Sequence, residues 1–332
     1  MFVTEVKDIN SVVPHIEATP TVAVSPMGRI FVSFIGNDGE RAGILSSKDG
    51  KNSFCVVAEI VGDGEEKVEA CRLWIDPLGR LWVMWSYLPS ARTFCRVCTD
   101  PDADVLEWGE ERELDFGTLL SCPLVTKDGS WLFMSAVSIK EIRERFSGEK
   151  KRGMYVHRST DEGKTFEQIS KIFANSCWFD AMALIEKGDK LVAYTRTNYG
   201  VGKFISADRG ENFKAEADSG YGAESARLAF AVMPSKHTLM INSGNFAPDG
   251  SRCLAAMLSL TDGMTYHGIM CLEAGKVNTS NPDFCTFGDM IYTVYVRAAG
   301  DKNELIFARY TESDVLAGEA RSENSRLGLA IA

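Results

Sequence analysis

Arginines, carboxylates and a few aromatic residues recur at one phase of this 332-residue sequence, in a combination that could hold a small anion. The set comprises His15 and Glu17 with Asn37 and Asp38; Glu69 and Arg72 with Tyr87; Trp178 and Asp180 with Arg196 and Tyr199; Glu224 and Arg227 with Asn245; and Asn281 and Asp283 with Arg297. Guanidinium groups present a planar fork of donors that suits carboxylates and hydroxyls. A carboxyl group beside them could move a proton near neutral pH if burial raised its pKa. Plainer roles exist for the same residues. Arg72 with Glu69, and Arg227 with Glu224, could fasten neighbouring elements as ion pairs. Glu17 and Asp38 could be solvated loop residues, and Tyr199 beside Gly200 a turn aromatic. His15, His157, His237 and His267 are scattered along the chain and make neither a metal site nor a triad. No metal or other cofactor is implied.

A second pattern is S-x-D-x-G-x-[TN]-F, found at Ser159–Phe166 and Ser206–Phe213, with looser copies at Ser47–Phe54 and Ser259–Tyr266. Its chemistry is that of a turn. Ser and Asp side chains satisfy turn amides, Gly takes positive φ, and the closing aromatic packs beneath. A calcium loop is not indicated, because the ligand ladder and closing Glu of an EF-hand are missing.

The elements that position these residues come from an internal repeat. TVAVSPMGRIFVSF (21–34) returns as RLWIDPLGRLWVMW (72–85), CPLVTKDGSWLFMS (122–135), AMALIEKGDKLVAY (181–194), LAFAVMPSKHTLMI (228–241) and PDFCTFGDMIYTVY (282–295). With Gly28, Gly79, Gly129, Gly188, Lys236 and Gly288 as phase markers, the spacings are 51, 50, 59, 48 and 52. Each unit is an apolar strand, a short turn and an aromatic, β-branched strand, which reads as a hairpin. Helical periodicity is confined to IKEIRERF (139–146) and TESDVLAG (311–318). Six small antiparallel sheets of four strands predict an all-β, six-bladed β-propeller. Residues 1–319 form one domain, with FVTEV (2–6) expected to close blade six and a polar tail over 320–332 expected to stay outside the ring.

Strand alternation then sorts the two patterns. The first turn of each blade and the S-x-D-x-G turns must share one face. The starts of the inner strands and the loops after the second strands must share the other. The arginines and carboxylates belong to that second face, around the axis, where a polar and anionic small ligand would bind.

The S-x-D-x-G-x-T-[FW] repeat is the Asp-box, or BNR repeat, and the chain resembles the sialidase-like propellers over nearly its full length. DPLGRLWVMW (76–85), YTRTNYGVGKFISADRG (194–210) and DKNELIFARYTESDVLAG (301–318) look like a bacterial, sialidase-annotated branch. The resemblance implies a glycosidase with three arginines on the sugar carboxylate, a Tyr–Glu nucleophile and an Asp general acid. Asp180 falls where the nucleophile-assisting Glu stands, and Arg196 on the second triad arginine. Arg227 could be another anion-holding arginine, and Asp38 lies in the loop that carries the general acid. Asp38, Asp180 and Tyr199 are thus candidate catalytic residues. Arg196, Arg227, Arg72, Glu69, Glu17, Glu224 and Trp178 are candidate sugar-binding residues.

The departures direct the expectation away from sialic acid itself. Ala18-Thr19-Pro20 replaces Arg-Ile-Pro, and Ser280-Asn281-Pro282-Asp283 lacks the tyrosine of the bacterial branch. The expected function is a sialidase-like glycoside hydrolase acting on a terminal sugar of a glycan, with acidic sugars among the candidates. A non-catalytic glycan-binding propeller and a polysaccharide lyase on the same fold are the alternatives.

Composition sets the outer bounds. A net charge of −10 disfavours nucleic acid and anionic membrane as partners. The insertion at 138–153 carries six basic and three acidic residues and reads as a solvated flap. No run of 18 apolar residues occurs, and MFVTEVKDIN lacks the apolar centre of a signal peptide. Nine cysteines, mostly in apolar runs, suit a reduced protein, so the expected location is cytoplasmic. Cys95 and Cys98 form the single CxxC, in an extended run where positions i and i+3 point apart.

Overall fold

Six antiparallel sheets follow one another along the chain, each with its first strand nearest a common axis. The computed structural model describes residues 1–4, 16–36, 39–50, 54–114, 117–119, 121–137, 153–173, 177–217, 219–222, 227–275 and 278–331, the side chains of 16–18, 177–180 and 274 excepted. The six inner strands are Ile16–Val24, Lys67–Ile75, Leu124–Val125 with Thr118–Leu119, Cys177–Lys187, Ala229–Val232 and Thr279–Phe287. Each pairs with the second strand through the turn read from the repeat, and all six phase markers adopt positive φ there. Five are glycines, which reach that region without steric cost. Lys236, at φ 71°, holds the same geometry against its side chain.

The blades bury their faces against one another, which gives six apolar clusters, one per interface. Between blades one and two lie Phe31, Ile44, Leu73 and Trp85, all at most 1% exposed. Between blades two and three, Trp131 meets Trp74 and Trp82, and Trp74 meets Phe133, edge to face at 5.0–6.1 Å. Between blades six and one, Val22, Val32, Val294 and Phe307 close the ring. An inner strand is apolar on both faces because both are buried. Val22 and Val24 point toward blade six, while Ala23 points toward blade two. That requirement produces the near-continuous hydrophobic runs of the repeat.

Closure differs from the sequence expectation at both ends of the chain. Phe2–Val3 pairs with Cys55–Val61, adding a fifth strand to blade one rather than a fourth to blade six. Phe2 is held there by Trp85 and Trp108, with ring centroids 5.7 and 5.1 Å away. The outer strand of blade six is Arg326–Ala330, from the segment expected to remain outside the ring. Leu329 packs on the cluster between blades six and one, and Leu327 on the one between five and six. Asp314 organises the approach to that strand. It closes the N-terminus of the helix Glu312–Ala317 with Thr311 and accepts from Arg321 N, Ser322 N and Ser325 Oγ. Burial works to raise its carboxyl, but these hydrogen bonds, Ser325 foremost, hold it far below the usual range.

TESDVLAG is helical as expected, whereas 139–146 and the rest of the insertion up to 152 lie outside the described residues. The S-x-D-x-G turns described in full, in blades three, four and five, join third to fourth strands, on the face of the first turns; residues 51–53 of the blade-one copy lie outside the described residues. The histidines are less dispersed than they looked. His237 and His267, both of blade five, come together with ring centroids 5.1 Å apart.

Candidate functional site at the axial end of the inner strands

The beginnings of the inner strands are irregular in a way their ends are not. Register slips occur near these starts in blades one, two, four and six, each adding residues that the second strand does not match. Bulges of this kind re-aim side chains and are common beside binding sites. Two slips carry strain. Thr19 sits at φ 58° and Asn281 at φ 52°, and each precedes a proline. Positive φ costs a β-branched residue such as Thr on the order of 1–3 kcal/mol. The same device, an X-Pro bulge with left-handed X, thus appears in blades one and six, which are neighbours across the closure.

The second slip presents Asp283 to the axis. Its Oδ1 accepts from Arg72 Nη1 of blade two at 2.6 Å, and its Oδ2 from Val22 N of blade one at 3.3 Å. One carboxylate of blade six therefore binds the two blades that follow it. The Arg72 and Asp283 side chains are only 3% and 10% exposed. Burial disfavours the Arg72 charge, but Asp283 outweighs it and the guanidinium pKa is raised.

Arg227, at the start of the blade-five strand, is 4% exposed and close enough for its charge to be felt by this pair. Its Nε and Nη1 have no hydrogen-bond partner among the described residues. Burial, and after it the repulsion of Arg72, push its pKa down; Asp283 and Glu69 counter this only in part. Two buried guanidiniums thus lie in the field of one buried carboxylate, which is bonded to Arg72. Cys71 and Cys122 lie against it, and burial pushes both thiols up to about 12, so they stay neutral. Cys122 has surface exposed to the axial cavity although it lies deep in the ring.

Below the cluster an axial cavity of about 440 Å³ follows the inner strands toward the first turns, with contributions from all six blades. Arg72 and Asp283 line it beside Trp74, Leu184, Phe230 and Phe284. Hydroxyl pairs stitch the blades around it. Thr21 and Ser33 (2.6 Å apart) reach Cys71 O and Leu73 N, Ser86 takes Leu119 N, and Ser243 meets Thr279. Against these satisfied contacts, the two Arg227 donors without a partner among the described residues stand out, since a buried unpaired donor is costly.

The residues singled out in the sequence are distributed as follows. Arg72 and Arg227 meet at the axis. Arg72, for which the sequence offers an ion pair with Glu69 as the plainer role, bonds across the closure to Asp283, and Glu69 is exposed. Arg196 is half-buried on the second strand of blade four, its backbone opposite Val201. Tyr199 is 63% exposed on the next turn, and its phenol makes no hydrogen bond among the described residues. Glu17, Trp178 and Asp180 belong to inner strands near the axis, but their side chains lie outside the described set. His15, Asn37, Asp38 and Glu224 lie outside the described residues. Asp283 is the residue whose importance sequence reading underrated. Its phase matched that of Arg72 and Arg227, yet a contact across 211 residues has no local signature.

No family model and no curated protein matches this sequence. Solved structures do. A Hadza microbial sialidase, Hz136, superposes with a TM-score of 0.69 at 14% identity, over 92% of this chain and 67% of that one. Trypanosoma rangeli sialidase in complex with the inhibitor DANA gives 0.63 at 13%, over 92% and 56%. A protein of unknown function from Dyadobacter fermentans gives 0.65 at 14%, over 93% and 97%. This chain therefore spans little more than half of the trypanosomal enzyme and nearly all of the uncharacterised protein. At these identities the likeness is one of fold, a sialidase-like propeller.

Proposed function

We propose that this propeller recognises a terminal acidic sugar of a glycan at the axial end of its inner strands, as a sialidase-like glycoside hydrolase. The observation that carries the reading is Arg227, buried beside the Arg72–Asp283 pair with Nε and Nη1 unpartnered among the described residues. A guanidinium kept in that state at a cost of stability is suited to a ligand carboxylate, which would supply the missing acceptor. The solved sialidases of the same fold include complexes with sialic acid and DANA, which supports a sugar as ligand. On this reading the S-x-D-x-G turns are Asp-boxes, which stabilise the opposite face and take no part in binding. Arg196 would contact the sugar, with Asp38 and Asp180 handling the proton.

A binding-only propeller is the second reading, and Tyr199 favours it. A nucleophilic tyrosine needs a carboxylate partner and shelter from water, whereas this one is exposed and has no described hydrogen bond. Calorimetry with acidic monosaccharides, run beside a panel of chromogenic glycosides and acidic oligosaccharides, separates the two. Hydrolysis lost in Asp180→Asn and in Arg196→Ala supports the enzyme. Saturable binding without product supports the second reading, and an ultraviolet-absorbing unsaturated product identifies a lyase. No binding of any acidic sugar rejects the site.

A further inference from the structure

Blade five carries a pair of thiols that the sugar site does not use. Cys253 opens its third strand, Cys253–Ser259, and Cys271 lies in its outer strand, Gly268–Ala274. The ladder between them slips once. Leu254 faces Glu273 and Ala255 faces Cys271, so Leu272 has no counterpart. With one residue extra on the outer strand, Cys253 and Cys271 fall on the same side of the sheet, toward blade four. Both contribute to the cluster there with Phe246. Their Sγ atoms are 2.9 Å apart in a thiol–thiol hydrogen bond. No other two described thiols share one.

The two sulfurs are not equivalent. Cys253 is 2% exposed, and burial pushes its thiol up to about 12. Cys271 is only partly buried. Access therefore selects Cys271 as the attacking sulfur and leaves Cys253 to resolve, the usual division of labour in a dithiol pair.

We propose that Cys253 and Cys271 form a redox pair that a small disulfide, such as glutathione disulfide, oxidises to a cross-strand clip. Cys271, as thiolate, attacks one sulfur of the oxidant; that S–S bond breaks and one glutathione leaves as its thiolate. Cys253 then attacks Cys271 Sγ in the mixed disulfide, losing its proton as the second glutathione departs. Two protein thiols are oxidised and one glutathione disulfide is reduced to two glutathiones, which take up the two protons. The bond would join the outer strand to the third where the latter leaves the loop at 245–252, on the face of the axial site. Nothing in this chemistry depends on which sugar that site accepts.

The test is incubation of the folded protein with glutathione disulfide, followed by alkylation and peptide mapping. The expected product is a Cys253–Cys271 cross-link, reversed by dithiothreitol, while exposed Cys55 gains only a glutathione adduct. Cys253→Ser should accumulate glutathione on Cys271, and Cys271→Ser should leave Cys253 unmodified. The oxidised protein should melt several degrees higher than the reduced one, because the clip closes an intervening strand and turn. Alkylation of both thiols after Cys55 has reacted would overturn the proposal, as would a Cys253→Ser protein with no adduct at Cys271.

Discussion

The two faces of the ring are built from the same six strand pairs but treat polar groups in opposite ways. On the face of the turns, the polar groups of the S-x-D-x-G repeats are satisfied within a few residues. Ser159 Oγ donates to Asp161 and accepts from Gly163 N, while Asp161 accepts from both Thr165 N and Thr165 Oγ1 at 2.9 and 2.6 Å. Ser206, Asp208, Gly210 and Asn212 repeat the arrangement in blade four. In blade five Thr261 replaces the aspartate and still takes Thr265 N. On the axial face, strands are bulged, Thr19 and Asn281 are strained, and Arg227 is buried with two donors unpartnered among the described residues. Local satisfaction stabilises a fold; polar groups buried and left waiting are what a binding site needs.

The largest effect expected from this contrast is at Asp283. Asp283→Ala would leave Arg72 and Arg227 buried without this carboxylate, at a cost of about 3–5 kcal/mol, read as a lower midpoint in urea unfolding. A variant as stable as the parent would mean that the axial charges are solvated and the contrast is false. Arg227→Met should act in the opposite sense. Removing an incompletely paired buried cation should leave stability unchanged or raise it by about 1–4 kcal/mol, while acidic-sugar binding is lost. A marked loss of stability would show that Arg227 is a structural fastener.

Next comes the turn face. Gly163 has φ 79°, and a Cβ there would come within 2.7 Å of Trp82 and 2.8 Å of Trp131. Gly163→Ala should cost roughly 2–3 kcal/mol through backbone strain and overpacking, with ligand binding intact. Loss of binding at equal stability would couple the two faces.

The smallest effect is in the acid limb of the stability profile. Hydrogen bonds from Thr165 hold Asp161 at about 2, and those from Asn212 hold Asp208 at about 2, against an ordinary 3.8. A carboxyl lowered on folding contributes its stabilisation above the unfolded pKa and loses it as pH falls through the folded one. The melting temperature should therefore fall between about pH 4 and pH 2. The double variant Asp161→Asn, Asp208→Asn should show a shallower fall over that window, and an unchanged slope would count against these turns as its source.

How far the sequence could be read follows from the range of each interaction. The turns were legible because Ser159, Asp161, Gly163 and Thr165 satisfy one another within seven residues. The six phase markers were legible because a hairpin turn demands positive φ at one position, and even Lys236 kept the phase. Ring closure was not legible. Phe2 and Leu329 are both apolar residues in short extended segments, and only the shapes of the clusters near Trp85 and Phe307 decide which blade each completes. The pairing of His237 with His267 was hidden in the same way, since it joins the first and third turns of one blade.

What the sequence determined by itself is therefore the repeat: six strand–turn–strand units, their apolar faces and the face on which charged residues gather. These are properties of period, turn chemistry and burial, each set within about fifty residues. Only the tertiary structure decided that Arg72 binds Asp283 across 211 residues, that Arg227 keeps donors unpaired among the described residues, and that the C-terminal segment completes blade six. Those outcomes depend on bringing blades two, five and six to one axis, where burial strengthens the contact between a guanidinium and a carboxylate far apart in sequence.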